Sequence, residues 1–345
     1  MRHRILYVCD HAYPPALGGA EISMHLLLER LRRHGHEAET CVWRPYARRG
    51  LGELMHAANP GWVFTESRVA PHVVREAKMQ GRKTAVFVYD PVEHACSHHV
   101  EDGLRVCVET GGRADPLTCP LGCLGRRIDI AVQREMFRSA DLVSCSSEYT
   151  RRVIERVFGG PDADLRPVVQ YPVIPGPRQH GLSRRRYVTI IRPTPGKGRR
   201  LFEQLTRRLG GHEFLAVGGQ PLDVPWERVA YLPVAVRMDE VYRATRILIH
   251  PAVDAEAFGR TVAEAASLGV PSVVSSQGGL PEALGPGGIA VDDYENPDAW
   301  VRAIGQLEAD YEHYARRALQ HSRKFRSVAA LAQALDTEST STTRT

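Results

Sequence analysis

Two series of short apolar runs, each alternating with amphipathic helical stretches, constrain this chain more than any other feature. The first series is Ile5 to Cys9, Glu37 to Trp43, Gly61 to Phe64, Lys83 to Tyr89 and Leu142 to Cys145. The second is Tyr187 to Ile191, Phe214 to Val217, Val229 to Leu232, Ile247 to Ile249 and Ser272 to Val274. Apolar runs of this length are strands buried on both faces, and their alternation with helices calls for parallel sheets covered on both sides. The first helix, from about Glu21 to Arg33, should turn Ile22, Leu26, Leu27 and Leu31 inward and stop at Gly35. Between the series, proline and glycine crowd around Tyr171-Pro172-Val173-Ile174-Pro175-Gly176-Pro177, which reads as a linker. The fold class is therefore α/β, with two doubly wound domains. The first covers 1–170, the linker 171–186 and the second domain 187–315. A helical region, 316–335, can cross back to the first domain, and 336–345 should be a disordered tail. Two such sheets facing each other would place a ligand at the carboxyl ends of their strands, in the cleft between domains.

Charge narrows the function classes. The net charge is +5, yet lysine occurs only at 78, 83, 197 and 324, against 41 arginines. Arginine pairs at 48–49, 126–127 and 151–152 and the triplet at 184–186 are scattered, without the single basic stripe and stacking aromatics of a nucleic-acid surface. The start, MRHRILYVCD, has too short an apolar run for a signal peptide, and no segment reaches membrane-spanning length. A cytoplasmic location is expected, where cysteines act as thiols or metal ligands rather than as a disulfide framework.

The chemistry concentrates between His250 and Pro271. The strand at 247–249 runs through Glu256-Ala-Phe258-Gly259 into a helix beginning near Arg260 and ending at Gly269. A helix N-terminus offers unpaired N–H groups and the positive end of the dipole, and Gly259, lacking a Cβ, lets an anionic oxygen approach them. Glu256 and Glu264 bracket that anion site, and carboxylates suit sugar hydroxyls because they accept two hydrogen bonds in one plane. Phosphate between two hydroxyl readers points to a nucleotide sugar. Spacing alone also fits a glutamate at its own helix start and a second on a solvated face. Three further loops follow strands: Gly18-Gly19-Ala20-Glu21, Arg192-Pro-Thr-Pro-Gly-Lys197-Gly198, and Gly218-Gly219. Arg192 and Lys197 flank a turn and can converge on a diphosphate.

Glu256-x7-Glu264 with Phe258-Gly259 inside it and GVPSVVSSQGGLPE after it resembles the donor-site signature of retaining glycosyltransferases of the GT-B fold, family 4. The GGAE loop, the R-x-x-x-x-KG segment and Tyr231-Leu232-Pro233 fall in the order that family has them. The resemblance spans about 4 to 330 and implies two Rossmann-like domains. It places Gly18 and Gly19 against the donor phosphates, Arg192 and Lys197 on the leaving diphosphate, Glu264 on the ribose and Glu256 on the sugar hydroxyls. Gly218, Phe258 and Gly259 join the binding set, and GGLPE closes the cleft. Where the family commonly has a histidine, this chain has Tyr89-Asp90. Either Asp90 or His94 would take that role, or Asp90 is a turn residue before Pro91. The implied activity is transfer of a sugar from a nucleoside diphosphate to an acceptor hydroxyl of a natural product, glycolipid or polysaccharide precursor, without a catalytic cofactor. A nucleotide-sugar 2-epimerase or hydrolase, and a non-catalytic nucleotide-sugar-binding protein, are the alternatives. Peripheral membrane contact stays compatible with all of these.

Residues 91–124 break the strand–helix rhythm. Cys96, Cys107, Cys119 and Cys123 lie there beside His94, His98 and His99, and the Cys119-to-Cys123 spacing can clasp one metal. A structural Zn²⁺ and free thiols on an acceptor loop are both open readings, and some family members have a similar cysteine insertion.

Overall fold

The computed structural model describes residues 1–14, 16, 18–45, 47, 49–91, 130–159, 165–176, 185–219, 222–233 and 237–341. The cysteine-rich insertion, with Cys96, Cys107, Cys119 and Cys123, lies outside the described residues. The chain divides into two compact units, Met1–Val173 with Val328–Thr345, and Ile174–Ser327.

The first unit is a six-stranded parallel sheet in the order β2-β1-β3-β4-β5-β6. Its strands are β1 (Arg4–Cys9), β2 (Glu37–Val42), β3 (Trp62–Glu66), β4 (Lys83–Val88), β5 (Leu142–Cys145) and the two-residue β6 (Val168–Val169). Period-two alternation sorts β1 between two cores. Ile5, Tyr7 and Cys9 pack with helix α1 (Gly19–Arg33) and the last helix, whereas Leu6 and Val8 pack with α2 (Leu51–Ala58) and α3 (Ala70–Met79). The buried face of α1 is Met24, Leu27, Leu28 and Leu31. Ile22 and Leu26 sit at its margin, so the expected inward face is rotated by part of a turn, because both Met24 and Leu28 face the sheet. The unit is completed by α4 (Ile130–Ser139) and α5 (Glu148–Phe158), the latter capped by Ser147, whose side chain accepts from the Thr150 N–H.

The second unit repeats the design in the order β12-β11-β10-β7-β8-β9. Strands β7 (Tyr187–Ile191), β8 (Glu213–Val217), β9 (Val229–Leu232), β10 (Thr245–His250), β11 (Ser272–Ser275) and β12 (Gly288–Val291) are all parallel. One face packs Val188, Ile190, Phe214, Ile247, Ile249 and Val273 against α6 (Arg199–Arg208) and α10 (Pro297–Ala309), with Trp300 fully buried. The other carries α7 (Met238–Ala244) over Leu215 and Val217, and α8 (Arg260–Ser267) and α9 (Leu280–Leu284) follow β10 and β11. Helix α11 (Tyr311–Ser322) packs against α8.

The chain end departs from the expected disordered tail at 336–345. Helix α12 (Ala329–Ser341) continues past Leu335, burying Val328, Leu331 and Leu335 in the first unit's core. Asp336 is held by charge, with its Oδ1 3.1 Å from the N-terminal ammonium and 2.8 Å from His3 Nε2. Among the described residues no helix is long and apolar enough to cross a membrane.

Candidate active site

In the second unit, the loops at the carboxyl ends of β7, β10 and β11 are bonded into one structure. The Gly196 carbonyl accepts from the backbone N–H of Val253 at 2.9 Å and of Asp254 at 3.3 Å, tying the Arg192–Gly198 loop to the segment after β10. Ser275 Oγ donates to the Ala252 carbonyl at 2.7 Å, and the Gly279 N–H to the Glu256 carbonyl at 2.6 Å. Gly198 is left-handed at φ 73°, and a Cβ there would run into the Pro251 carbonyl. Side chains at Gly278 and Gly279 would strike the backbone of Glu256 and Ala257, so the GG of GGLPE exists to let α9 press on the loop that carries the first glutamate.

Glu256 is the charged centre of this arrangement. Its Oε1 lies 2.8 Å from Lys197 Nζ and 3.4 Å from His250 Nε2, and the His250 ring is anchored through Nδ1 to Thr261 Oγ1 at 3.1 Å. Burial alone would raise the carboxyl pKa, but the contact and charge of His250 and the Lys197 ammonium outweigh it and hold Glu256 well below the usual carboxylate range. Glu256 is thus an anion, with 23% of its side chain exposed beside a 39% exposed Lys197.

Helix α8 starts immediately after Gly259, whose φ of 100° only glycine adopts readily, and a Cβ there would sit 2.7 Å from Leu280 Cδ2. Its first turn, with the positive dipole end, therefore begins four residues after Glu256 in the same segment. Glu264 lies on the second turn. Its carboxylate pairs with Arg260 Nε at 2.7 Å, the i,i+4 partner, and accepts from Tyr242 Oη at 2.8 Å. Burial, then the negative charge of Glu264, pushes the Tyr242 phenol far above its ordinary pKa.

Arg192, Lys197, Gly218, Glu256, Gly259 and Glu264 all lie at the carboxyl end of the second unit's sheet. Arg192 is exposed, with its backbone in the left-handed region at φ 51° and its N–H bonded to the Val217 carbonyl at 2.7 Å. Gly218 and Gly219 follow β8 with φ of 65° and 87°. Phe258 is 4% exposed, and its ring meets Phe325 edge-on with centroids 5.1 Å apart, so its side chain anchors the loop. Gly18, Gly19 and Asp90 lie at the carboxyl end of the first unit's sheet, with Gly18 preceding α1 and Asp90 exposed just after β4. The Glu21 carboxylate folds back over Gly18. Sequence reasoning missed His250, Thr261, Arg260 and Tyr242. Only the last lay beyond local reach, on a different helix from its partner.

Comparison with known proteins adds a lineage to this geometry. Residues 229–324 match the family model described as "Glycosyl transferases group 1". The D-inositol 3-phosphate glycosyltransferase of Mycobacteroides abscessus is 28% identical over 249 residues, 66% of this chain and 49% of that protein. The enzyme of the same name from Mycolicibacterium gilvum is 38% identical over 104 residues, 29% of this chain and 23% of that protein. The matches thus span about half of those relatives or less. Among solved structures, Anabaena HepE in complex with UDP superposes with a TM-score of 0.70 at 16% identity, covering 99% of this chain and 100% of that one. Sucrose-phosphate synthase from Thermosynechococcus elongatus gives a TM-score of 0.67 at 15% identity, covering 97% and 98%. The chain therefore has the α/β GT-B fold, and residues 229–324 of its second unit match the model of the glycosyl transferases group 1 family.

Proposed function

We propose that the chain transfers a glycosyl group from a nucleoside-diphosphate sugar, with a UDP-sugar as the first candidate, to an acceptor hydroxyl with retention of configuration. One observation carries the reading. An ionised Glu256 and the Lys197 ammonium stand together 2.8 Å apart at the open N-terminus of α8, with Glu264 one turn further along the same helix. A diphosphate placed at that terminus meets the helix dipole and Lys197, while the carboxylates on either side accept hydroxyl donors. Among the described residues the contacts of Glu256 with Lys197 and His250 fall on Oε1, which leaves Oε2 for a sugar hydroxyl. As the sugar–oxygen bond breaks, negative charge grows on the β-phosphate. Lys197, Arg192 and the first N–H groups of α8 would receive it, a role that needs no metal ion for this step. The acceptor attacks on the face the diphosphate leaves.

HepE has been crystallised with UDP-glucose, which supports placing uridine nucleotides first. The relatives named for D-inositol 3-phosphate make a phosphorylated polyol one acceptor to include beside glycolipid and polysaccharide precursors. The test is calorimetry with UDP-, GDP-, dTDP- and ADP-sugars, followed by product analysis with and without acceptors. One donor should bind, and Glu264→Gln should weaken it by about 1.5–3 kcal/mol, the range for a hydrogen bond to a charged group. A chain that binds none of them is not this enzyme, and one that releases free sugar or an epimer equally fast without any acceptor is a hydrolase or epimerase.

A further inference from the structure

Glu264 is gripped at both oxygens by groups from two different helices. Arg260 Nε, on α8 itself, meets Oε1 at 2.7 Å, and Tyr242 Oη, from α7, donates to Oε2 at 2.8 Å. Tyr242 is 2% exposed, whereas Glu264 keeps 20% of its side chain open and Arg260 13%. A glutamate carboxylate turns freely about its terminal bond, whose torsion has broad minima. Contacts on opposite oxygens remove that freedom. Tyr242 takes one acceptor direction on Oε2 and Arg260 faces Oε1 as an ion partner, and since each carboxylate oxygen has two acceptor directions, both oxygens can still accept a hydroxyl. Two acceptors fixed in one plane match two hydroxyls on neighbouring carbons.

Tyr242 also sets the polarity of the contact. Burial first, and the Glu264 charge second, keep the phenol protonated, so the tyrosine donates and the carboxylate stays an acceptor for whatever else it meets. Arg260 alone, an i,i+4 partner on the same helix, would leave the carboxylate free to swing about one contact. The second helix provides the fixed reference.

Resting on the ribose reading of Glu264 given above, we propose that Tyr242 is a positioning residue that locks the Glu264 carboxylate to receive both hydroxyls of a ribose, making the site selective for ribonucleoside over 2′-deoxyribonucleoside diphosphates. Tyr242 itself touches no substrate. Its effect is confined to how well Glu264 reads the diol.

Calorimetry with UDP and 2′-deoxy-UDP on the wild type, Tyr242→Phe, Glu264→Gln and the double variant tests this, with GDP or ADP and its deoxy form substituted if either binds best. The wild type should prefer the ribonucleotide by about tenfold, the worth of one hydrogen bond to a charged group. Tyr242→Phe should lose most of that preference while binding the deoxy form as before, and adding Glu264→Gln should lower the preference no further than Glu264→Gln alone. A phenylalanine variant that keeps the wild-type preference, or weakens both nucleotides equally, overturns the proposal. If that variant does not fold, Arg260→Leu releases the other oxygen of the same carboxylate and must also reduce the ratio, while any loss of phosphate affinity cancels between the two ligands. A wild type that binds none of the ribonucleotides refutes the donor reading and this inference together. Binding that Glu264→Gln weakens, with Tyr242→Phe leaving the ratio intact, refutes only the inference.

Discussion

Asp141 in the first unit and Glu256 in the second have the same chemistry at opposite ends of their sheets. Asp141 precedes β5, at the amino edge. It accepts from the Thr84 N–H at 2.7 Å, from Thr84 Oγ1 at 3.0 Å and from Lys78 Nζ at 2.5 Å, with Lys83 3.6 Å away, and 15% of its side chain is exposed. Burial raises its pKa, but these donors outweigh burial and lower it. Glu256 follows β10, at the carboxyl edge, and is likewise an anion held by a lysine. The difference lies in what supplies the contacts. Asp141 takes three donors on Oδ2, with Lys83 3.6 Å from Oδ1, and ties Lys78 on α3 and Thr84 on β4 to the start of β5, whereas the contacts of Glu256 among the described residues, from Lys197 and His250, fall on Oε1 beside the start of α8. In a parallel sheet the carboxyl edge is where helices begin, so an ion pair there is placed to meet a ligand, as proposed above, whereas one at the amino edge ties strands to helices.

Removing Lys197 should separate the two pairs most sharply. Lys197→Ala is expected to lower kcat by ~10²–10³, comparable to losing one preorganised oxyanion donor, while the melting temperature stays close to wild type because the residue lies on a half-exposed loop. Steady-state kinetics beside a thermal melt would check both halves. A strict, restorable requirement for added Mg²⁺ or Mn²⁺ would mean that the cation work lies elsewhere, and the contrast with Asp141 would then fail.

Asp141→Ala should do the reverse. Loss of the charged acceptor leaves the Thr84 N–H and Lys78 without their partner, so stability should fall by about 1.5–3 kcal/mol with kcat per folded molecule unchanged. The sign of its pH dependence follows from the lowered pKa. The folded carboxyl holds its proton less tightly than the unfolded one, so Asp141 contributes fully above roughly pH 4, the ordinary range for an aspartate, and the contribution fades as pH falls through the folded value. Denaturant titrations of wild type and variant at pH 7 and at progressively lower pH should therefore converge. A gap that stays constant into acid would assign the effect to packing rather than charge.

The asymmetry between the two pairs also marks what was legible beforehand. The central strands announce themselves because they are apolar on both faces, while the edge strands β2 and β9 expose most of their residues, and Gly259, Gly198 and the paired glutamates stand out because only certain residue types permit a tight turn or bind hydroxyls. What a partner does across space leaves no local trace. Nothing near Tyr242 says that its hydroxyl meets Glu264, 22 positions on, and nothing near Gly278 says that the Glu256 carbonyl lies against it. Phe258 reads as part of a binding motif because of its neighbours, yet its own apolar ring is drawn to Phe325, and burial decides its role. Helix α9 was hidden for the same reason, since GGLPE carries turn residues whose demand is close contact rather than reversal.

Backbone strain gives the finest version of the comparison. Among the described residues two non-glycines have positive φ, Asn59 at 43° in the first unit and Arg192 at 51° in the second. Asn59 is the C-cap of α2, where its N–H bonds to the Met55 carbonyl, and asparagine is the residue best suited to a left-handed cap after glycine. Arg192 has no such excuse. Its side chain gives no local compensation, and the conformation is held by the N–H bond to Val217 and by the two glycines that turn beside it. Strain retained at a loop that should bind a diphosphate is expected where guanidinium placement matters more than stability. Arg192→Gly should therefore be more stable than Arg192→Ala by about 0.5–1 kcal/mol, the left-handed penalty of an L residue less the extra freedom of glycine in the unfolded chain. Both should lose turnover equally, since both lack the guanidinium. At Asn59 the same pair of substitutions should differ in stability in the same direction and leave kcat untouched. Equal stability of the two Arg192 variants in chemical denaturation would show that the position is not strained, and unequal turnover would show that the backbone, rather than the charge, is what the reaction uses.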